Sequence, residues 1–166
     1  MRRTILGFSA AILLTATAAA RSDSTRPLLL DWEKLKSLVG SWQGTNEGRP
    51  VSATYTLVSN GTALMENLNG GHDADMITMY TPDGAVLLAT HYCAAGNQPR
   101  MRAKASADGK SIDFQFVDAS NVKDSSEVMR RLVVTFVDAN HFHQQWTSRG
   151  KDGKDRTSVF QFTRKP

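Results

Sequence analysis

Residues 51–69 read VSATYTLVSNGTALMENLN, and this stretch decides the fold. Val51, Ala53, Tyr55 and Leu57 alternate with Ser52, Thr54 and Thr56, the two-residue period of a strand with one wet face. Asn60-Gly61 then interrupts the pattern, a pair that favours a tight hairpin because both residues tolerate positive φ, and an apolar segment resumes at Thr62.

Working outward, the same grammar repeats. Ile112, Phe114 and Phe116 alternate with Asp113, Gln115 and Val117, and Asp83-Gly84, Asp108-Gly109 and Asp152-Gly153 supply further turn signals. The predicted strands are 41–46, 51–59, 62–69, 74–80, 85–93, 99–105, 111–117, 129–137, 141–148 and 156–164. Successive hairpins make a meander, and a meander without covering helices removes both exposed edges by closing on itself. The fold class expected is therefore all-β, a closed antiparallel up-and-down barrel of about ten strands. A two-sheet sandwich is the alternative, because alternation alone is common to both.

The segment before the first strand reads differently. Asp31 as N-cap, Glu33 in the first turn, Trp32, Leu35, Leu38 and Val39 on one face and Gly40 at the end predict a short N-terminal helix, too short to stand alone. Further upstream, Met1 to Ala20 has the form of a secretory signal: Arg2 and Arg3, an apolar run from Ile5 to Leu14, and A-x-A spacing at Ala18 and Ala20. Residues 21–30 are expected to be a flexible lead-in, and 31–166 the barrel domain. The apolar run falls short of the roughly 20 residues that span a bilayer, so the expected location is periplasmic or secreted, with no membrane span after signal removal.

Composition narrows the function classes. The 166 residues carry 20 Lys and Arg against 16 Asp and Glu. Without Arg2 and Arg3 the balance is close to neutral, and the basic residues are scattered, whereas a nucleic-acid partner calls for a concentrated basic face. The one cysteine, Cys93, cannot form an internal disulfide, so stability rests on the core, and a buried, inert thiol is the commoner fate.

Leu38-Val39-Gly40-Ser41-Trp42-Gln43-Gly44 resembles the opening of calycin-type barrels, in which a Gly-x-Trp element begins the first strand and its indole closes the barrel floor. Gly61-Thr62-Ala63-Leu64-Met65-Glu66, Met79-Tyr80 and the run from His91 to Met101 look like a family of secreted bacterial proteins of unknown function with a lipocalin-like barrel. The resemblance spans about residues 34–164 and implies a fold with a cavity, without an assigned activity. A more distant likeness is to nitrobindin-type haem barrels, which share Gly-x-Trp-x-Gly-x-Gly. Here Asn46 replaces the third glycine, and His141 and His143 do not match that family's C-terminal histidine, so no cofactor is expected.

A barrel of this size has room for one small ligand. The candidate wall is Trp42, Tyr55, Met79 and Trp146, and the candidate polar contacts are Glu66, His91, Arg100 and Arg102. Glu66 shares parity with Leu64 and Leu68, so an interior position is expected, with Arg100 or Arg102 as its partner; a solvent-facing Glu is the alternative. His91 and Cys93 share a strand face, but a separation of some 6 to 7 Å by strand rise disfavours a directly bonded nucleophile and base. Gly96-Asn97-Gln98-Pro99-Arg100 reads either as a rim of donors for a polar head or as a rigid turn. His141 and His143 are placed outside because Phe142 and Trp146 claim the inner face, and no metal site is expected. The reading is a small-molecule carrier for an apolar molecule with a polar head. An enzyme using Glu66 or His91 as general base, and an interaction module with a filled core, are the alternatives.

Overall fold

The computed structural model describes residues 26–70, 75–104, 109–123 and 127–166. The leader, Met1 to Ala20, and residues 21–25 lie outside the described residues. Among the described residues an α-helix, α1 (Arg26–Lys36), precedes ten strands: β1 (Gly40–Asn46), β2 (Arg49–Val58), β3 (Ala63–Asn69), β4 (Met76–Asp83), β5 (Val86–Tyr92), β6 (Gln98–Lys104), β7 (Ser111–Ser120), β8 (Val128–Asp138), β9 (His141–Arg149) and β10 (Asp155–Arg164). Each strand pairs antiparallel with the next, and β1 bonds to both β2 and β10, closing the barrel. That last pairing excludes the sandwich, since a closed cylinder has no sheet edge.

All ten predicted strands occur in order. The turns are chosen less uniformly than the Gly-containing pairs suggested. The β1–β2 hairpin is made by Glu47 (φ 51°) and Gly48 (φ 78°), both left-handed, between the paired residues Asn46 and Arg49, as a two-residue hairpin of matching twist requires. The start of the helix is also corrected. It begins at Arg26, so Asp31 is no N-cap but lies inside the helix and is buried.

The closing seam depends on Gly44. A Cβ there would lie 2.0 Å from the backbone oxygen of Gln161 on β10, so β1 and β10 can approach only because this position lacks a side chain.

One end of the cylinder is shut. Trp32, Leu35 and Leu38 sink into the core. Trp42 Nε1 donates to the Leu38 carbonyl at 2.7 Å, and Phe142 meets the Trp42 ring edge-on at 4.7 Å. Arg164, at the end of β10, stacks its guanidinium 4.1 Å from the Trp42 ring centre. It also donates to the carbonyls of Ser37 and Val39 at 2.7 and 2.9 Å. This is the floor that the Gly-x-Trp element implied, with the cation contributing both stacking and carbonyl capping. Above it, Tyr55, Tyr80, Phe114, Phe142 and Phe162 fill the closed half of the barrel.

Candidate functional site

The other end is open. The hairpin β1–β2, the turn after β5, the residues before β8 and the β10 entry surround a pocket of about 470 Å³. Leu68, Met76, Met129, Trp146 and Phe160 make its apolar wall, while Asn46, His91, Cys93, Glu127, Ser148 and Arg49 supply the polar positions.

Between filled floor and open mouth runs a polar layer. Strand register places Tyr55 opposite Glu66, Glu66 opposite Thr78, and Thr78 opposite His91, so four neighbouring strands contribute one interior row. From the far wall Gln144 crosses the lumen, its Nε2 donating to Glu66 Oε1 at 2.7 Å and to Tyr55 Oη at 2.8 Å. Tyr80 Oη donates to Glu66 Oε2 at 2.6 Å, and Trp146 Nε1 donates to Gln144 Oε1 at 3.1 Å.

Glu66 is fully buried. Burial raises its pKa, and hydrogen bonds from Tyr80, Gln144, Tyr55 and Thr78 work in the opposite direction, since each favours the carboxylate. The direct hydrogen bonds are those from Tyr80 and Gln144, one to each carboxylate oxygen. The Tyr55 and Tyr80 hydroxyls are pushed well up by burial and by the Glu66 charge, so both stay protonated.

His91 links this layer to the pocket. Its Nδ1 lies 2.9 Å from Thr78 Oγ1, and its ring sits 4.5 Å from that of Trp146. Burial lowers its pKa to about 4, so the imidazole is neutral at ordinary pH. Its Nε2 is buried and has no hydrogen-bond partner, and the same holds for Asn46 Oδ1; both residues line the pocket. Unmet buried acceptors or donors are costly in a finished core, and these two are the pocket-lining atoms left in that state.

Of the eight residues expected at the site, His91 and Trp146 line the pocket. Trp42, Tyr55 and Glu66 are interior but lie deeper, in the floor and the polar layer. Three lie outside the lumen. Met79 faces outward, opposite Met65 on β3; the inward residues of β4 are Met76, Thr78 and Tyr80. Apolar side chains on both faces of β4 blurred its alternation. Arg100 is exposed and bonds Asp118 at 2.5 Å on the outer surface, and Arg102 is exposed as well. The expected pairing of Glu66 with an arginine is thus corrected to Tyr80 and Gln144.

The loop after β5 is the rigid turn rather than a rim of free donors. Asn97 Nδ2 holds the Glu127 carbonyl at 2.8 Å, Gln98 Nε2 donates to Gly96 at 3.2 Å, and Gln98 Oε1 accepts from Ser120 and Asn121. Cys93 lies just past β5. Burial raises its thiol pKa, with the Glu127 charge adding to the effect, so it is not an activated nucleophile at neutral pH. Glu127 accepts a hydrogen bond from Ser148 at the rim.

Gln144 and Thr78 were absent from the candidates, yet their parity announces them. Gln144 sits between the inward Phe142 and Trp146, and Thr78 between Met76 and Tyr80, so each had to face the lumen. Among the described residues no group of three or more His, Cys, Asp and Glu side chains is arranged to hold a metal ion. No helix among them is long and apolar enough to cross a membrane.

No protein-family model and no curated protein matches the chain. Solved structures do. Rv2717c from M. tuberculosis is similar with a TM-score of 0.57 at 13% identity, over 82% of this chain and 98% of that one. A protein of unknown function of the DUF3598 family from Nostoc punctiforme is similar with a TM-score of 0.55 at 12% identity, over 79% of this chain and 48% of that one. The second match thus spans about half of its counterpart. At these identities the likeness shows the fold alone, a closed ten-stranded barrel.

Proposed function

We propose that this chain is an exported small-molecule-binding barrel whose ligand, a largely apolar molecule with one polar group, occupies the open mouth. One observation carries the reading: an apolar pocket of about 470 Å³ whose buried polar atoms His91 Nε2 and Asn46 Oδ1 have no partner. Small-molecule sites have this composition, mostly apolar walls with a few polar groups to orient the ligand. Export rests on the signal-like leader alone.

The test is native mass spectrometry of the mature protein recovered from its own exported compartment, compared with the same sample denatured. A discrete excess mass lost on denaturation is the expected result. A bare mass, together with failure of small amphiphiles to protect the protein thermally, would overturn the carrier reading.

A second reading is favoured by the row Glu66, Thr78 and His91, which presents an imidazole to the pocket with a carboxylate behind it. In an enzyme, His91 would be the general base. Glu66→Gln would then abolish turnover with ligand affinity nearly unchanged; loss of binding alone would exclude it.

A further inference from the structure

We propose that the pocket selects a neutral hydrogen-bond donor, a hydroxyl or N–H on an apolar body such as a phenol or alcohol, which donates to His91 Nε2. The inference deepens the carrier reading and rests on it. It comes from following protons along the polar row. Glu66 accepts from Tyr80 and Gln144 in direct hydrogen bonds, and Thr78 stands directly opposite it on β4, facing the same interior, where the carboxylate draws the hydroxyl proton toward itself. A hydroxyl has one proton to give. With that proton on Glu66, Thr78 Oγ1 faces His91 Nδ1 at 2.9 Å as an acceptor, so Nδ1 carries the imidazole proton. The remaining ring nitrogen, Nε2, then presents a lone pair to the pocket, buried and unpartnered.

The surroundings agree in sign. Asn46 Oδ1 is a second buried acceptor without a donor, and the carboxylate at the rim is Glu127. A carboxylate ligand would set its charge against these acceptors, and the arginines that could have answered it, Arg100 and Arg102, lie on the outer surface. Arg49 also lines the pocket, but its side chain is more than half exposed and faces the Glu47 carboxylate at 3.7 Å. An ammonium is disfavoured for another reason: burial already keeps His91 itself from taking up a charge until pH falls to about 4.

The experiment uses three probes of one shape, 4-phenylphenol, biphenyl and biphenyl-4-carboxylate, titrated into the full mature chain by calorimetry. The phenol is expected to bind at least tenfold more tightly than the hydrocarbon and the carboxylate. His91→Phe is expected to erase that preference while retaining biphenyl binding. Equal binding of the three, or preference for the carboxylate, overturns the donor inference and leaves the pocket reading standing. Failure of all three to bind overturns both. Because His91→Phe perturbs a buried position, the imidazole nitrogen shifts of the wild-type protein give an independent check. The protonated nitrogen is expected at Nδ1, and a proton on Nε2 in the free protein overturns the proposal.

Discussion

Acidification should unfold this protein partly through one residue, His91. In the unfolded chain its imidazole takes up a proton near pH 6.5, but in the folded barrel burial delays this to about 4. Between those values the unfolded state binds more protons, so stability falls as pH falls; above pH 6.5 the residue contributes no slope. Over the whole window the difference amounts to roughly 3 kcal/mol, a large share of the 5 to 15 kcal/mol, roughly, that a domain has. Glu66, which reaches His91 through Thr78, works in the opposite sense. Its raised folded pKa means stability is lost as pH rises above about 4.5, partly masking the histidine in the wild-type profile. Cys93 and the rim carboxylate Glu127, the other titratable groups near the ring, are common to any comparison. The assay is therefore urea unfolding of wild type and His91→Gln at several pH values from 7 to 4. Lost packing against Trp146 should make the variant less stable at pH 7, and the gap should shrink by about 3 kcal/mol on reaching pH 4. Parallel profiles for the two proteins would refute the reasoning, because only the titration of His91 distinguishes their slopes.

Gly44→Ala should open the β1–β10 seam, because its Cβ would stand 2.0 Å from the Gln161 oxygen; a loss above about 3 kcal/mol is expected, and a melting temperature within a few degrees of wild type would contradict it. Glu66→Leu should cost about 3 to 5 kcal/mol in chemical denaturation by stranding the Tyr80 and Gln144 donors, with Glu66→Gln markedly milder. Arg100→Ala and Arg102→Ala should each change stability by less than about 0.5 kcal/mol and leave 4-phenylphenol binding intact, since both side chains are outside the lumen. Cys93, its thiol pKa raised by burial, should react with a maleimide at pH 7.5 well below the rate of free cysteine.

The sequence by itself determined the architecture. Period-two alternation separated by Gly-containing turns is a local signal, and ten such segments in succession left few ways to bury one face of each. Glu66 as an interior carboxylate was legible because it shares parity with Leu64 and Leu68, whereas Trp42 as the floor was implied by the resemblance of its Gly-x-Trp element to calycin-type barrels. Even Gln144 and Thr78 were readable by parity, had polar residues been followed as closely as apolar ones. What only the tertiary structure decided was which side chains meet. β4 is apolar on both faces, so alternation could not say that Tyr80 rather than Met79 turns inward. The partner of Glu66 comes from β9, 78 positions along the chain, and closure of the cylinder, through β1 meeting β10 across Gly44, is what sets Gln144 against it. Periodicity fixes the face on which a residue lies, but not the neighbours it finds there, because those depend on strand register and on the diameter at which the barrel closes.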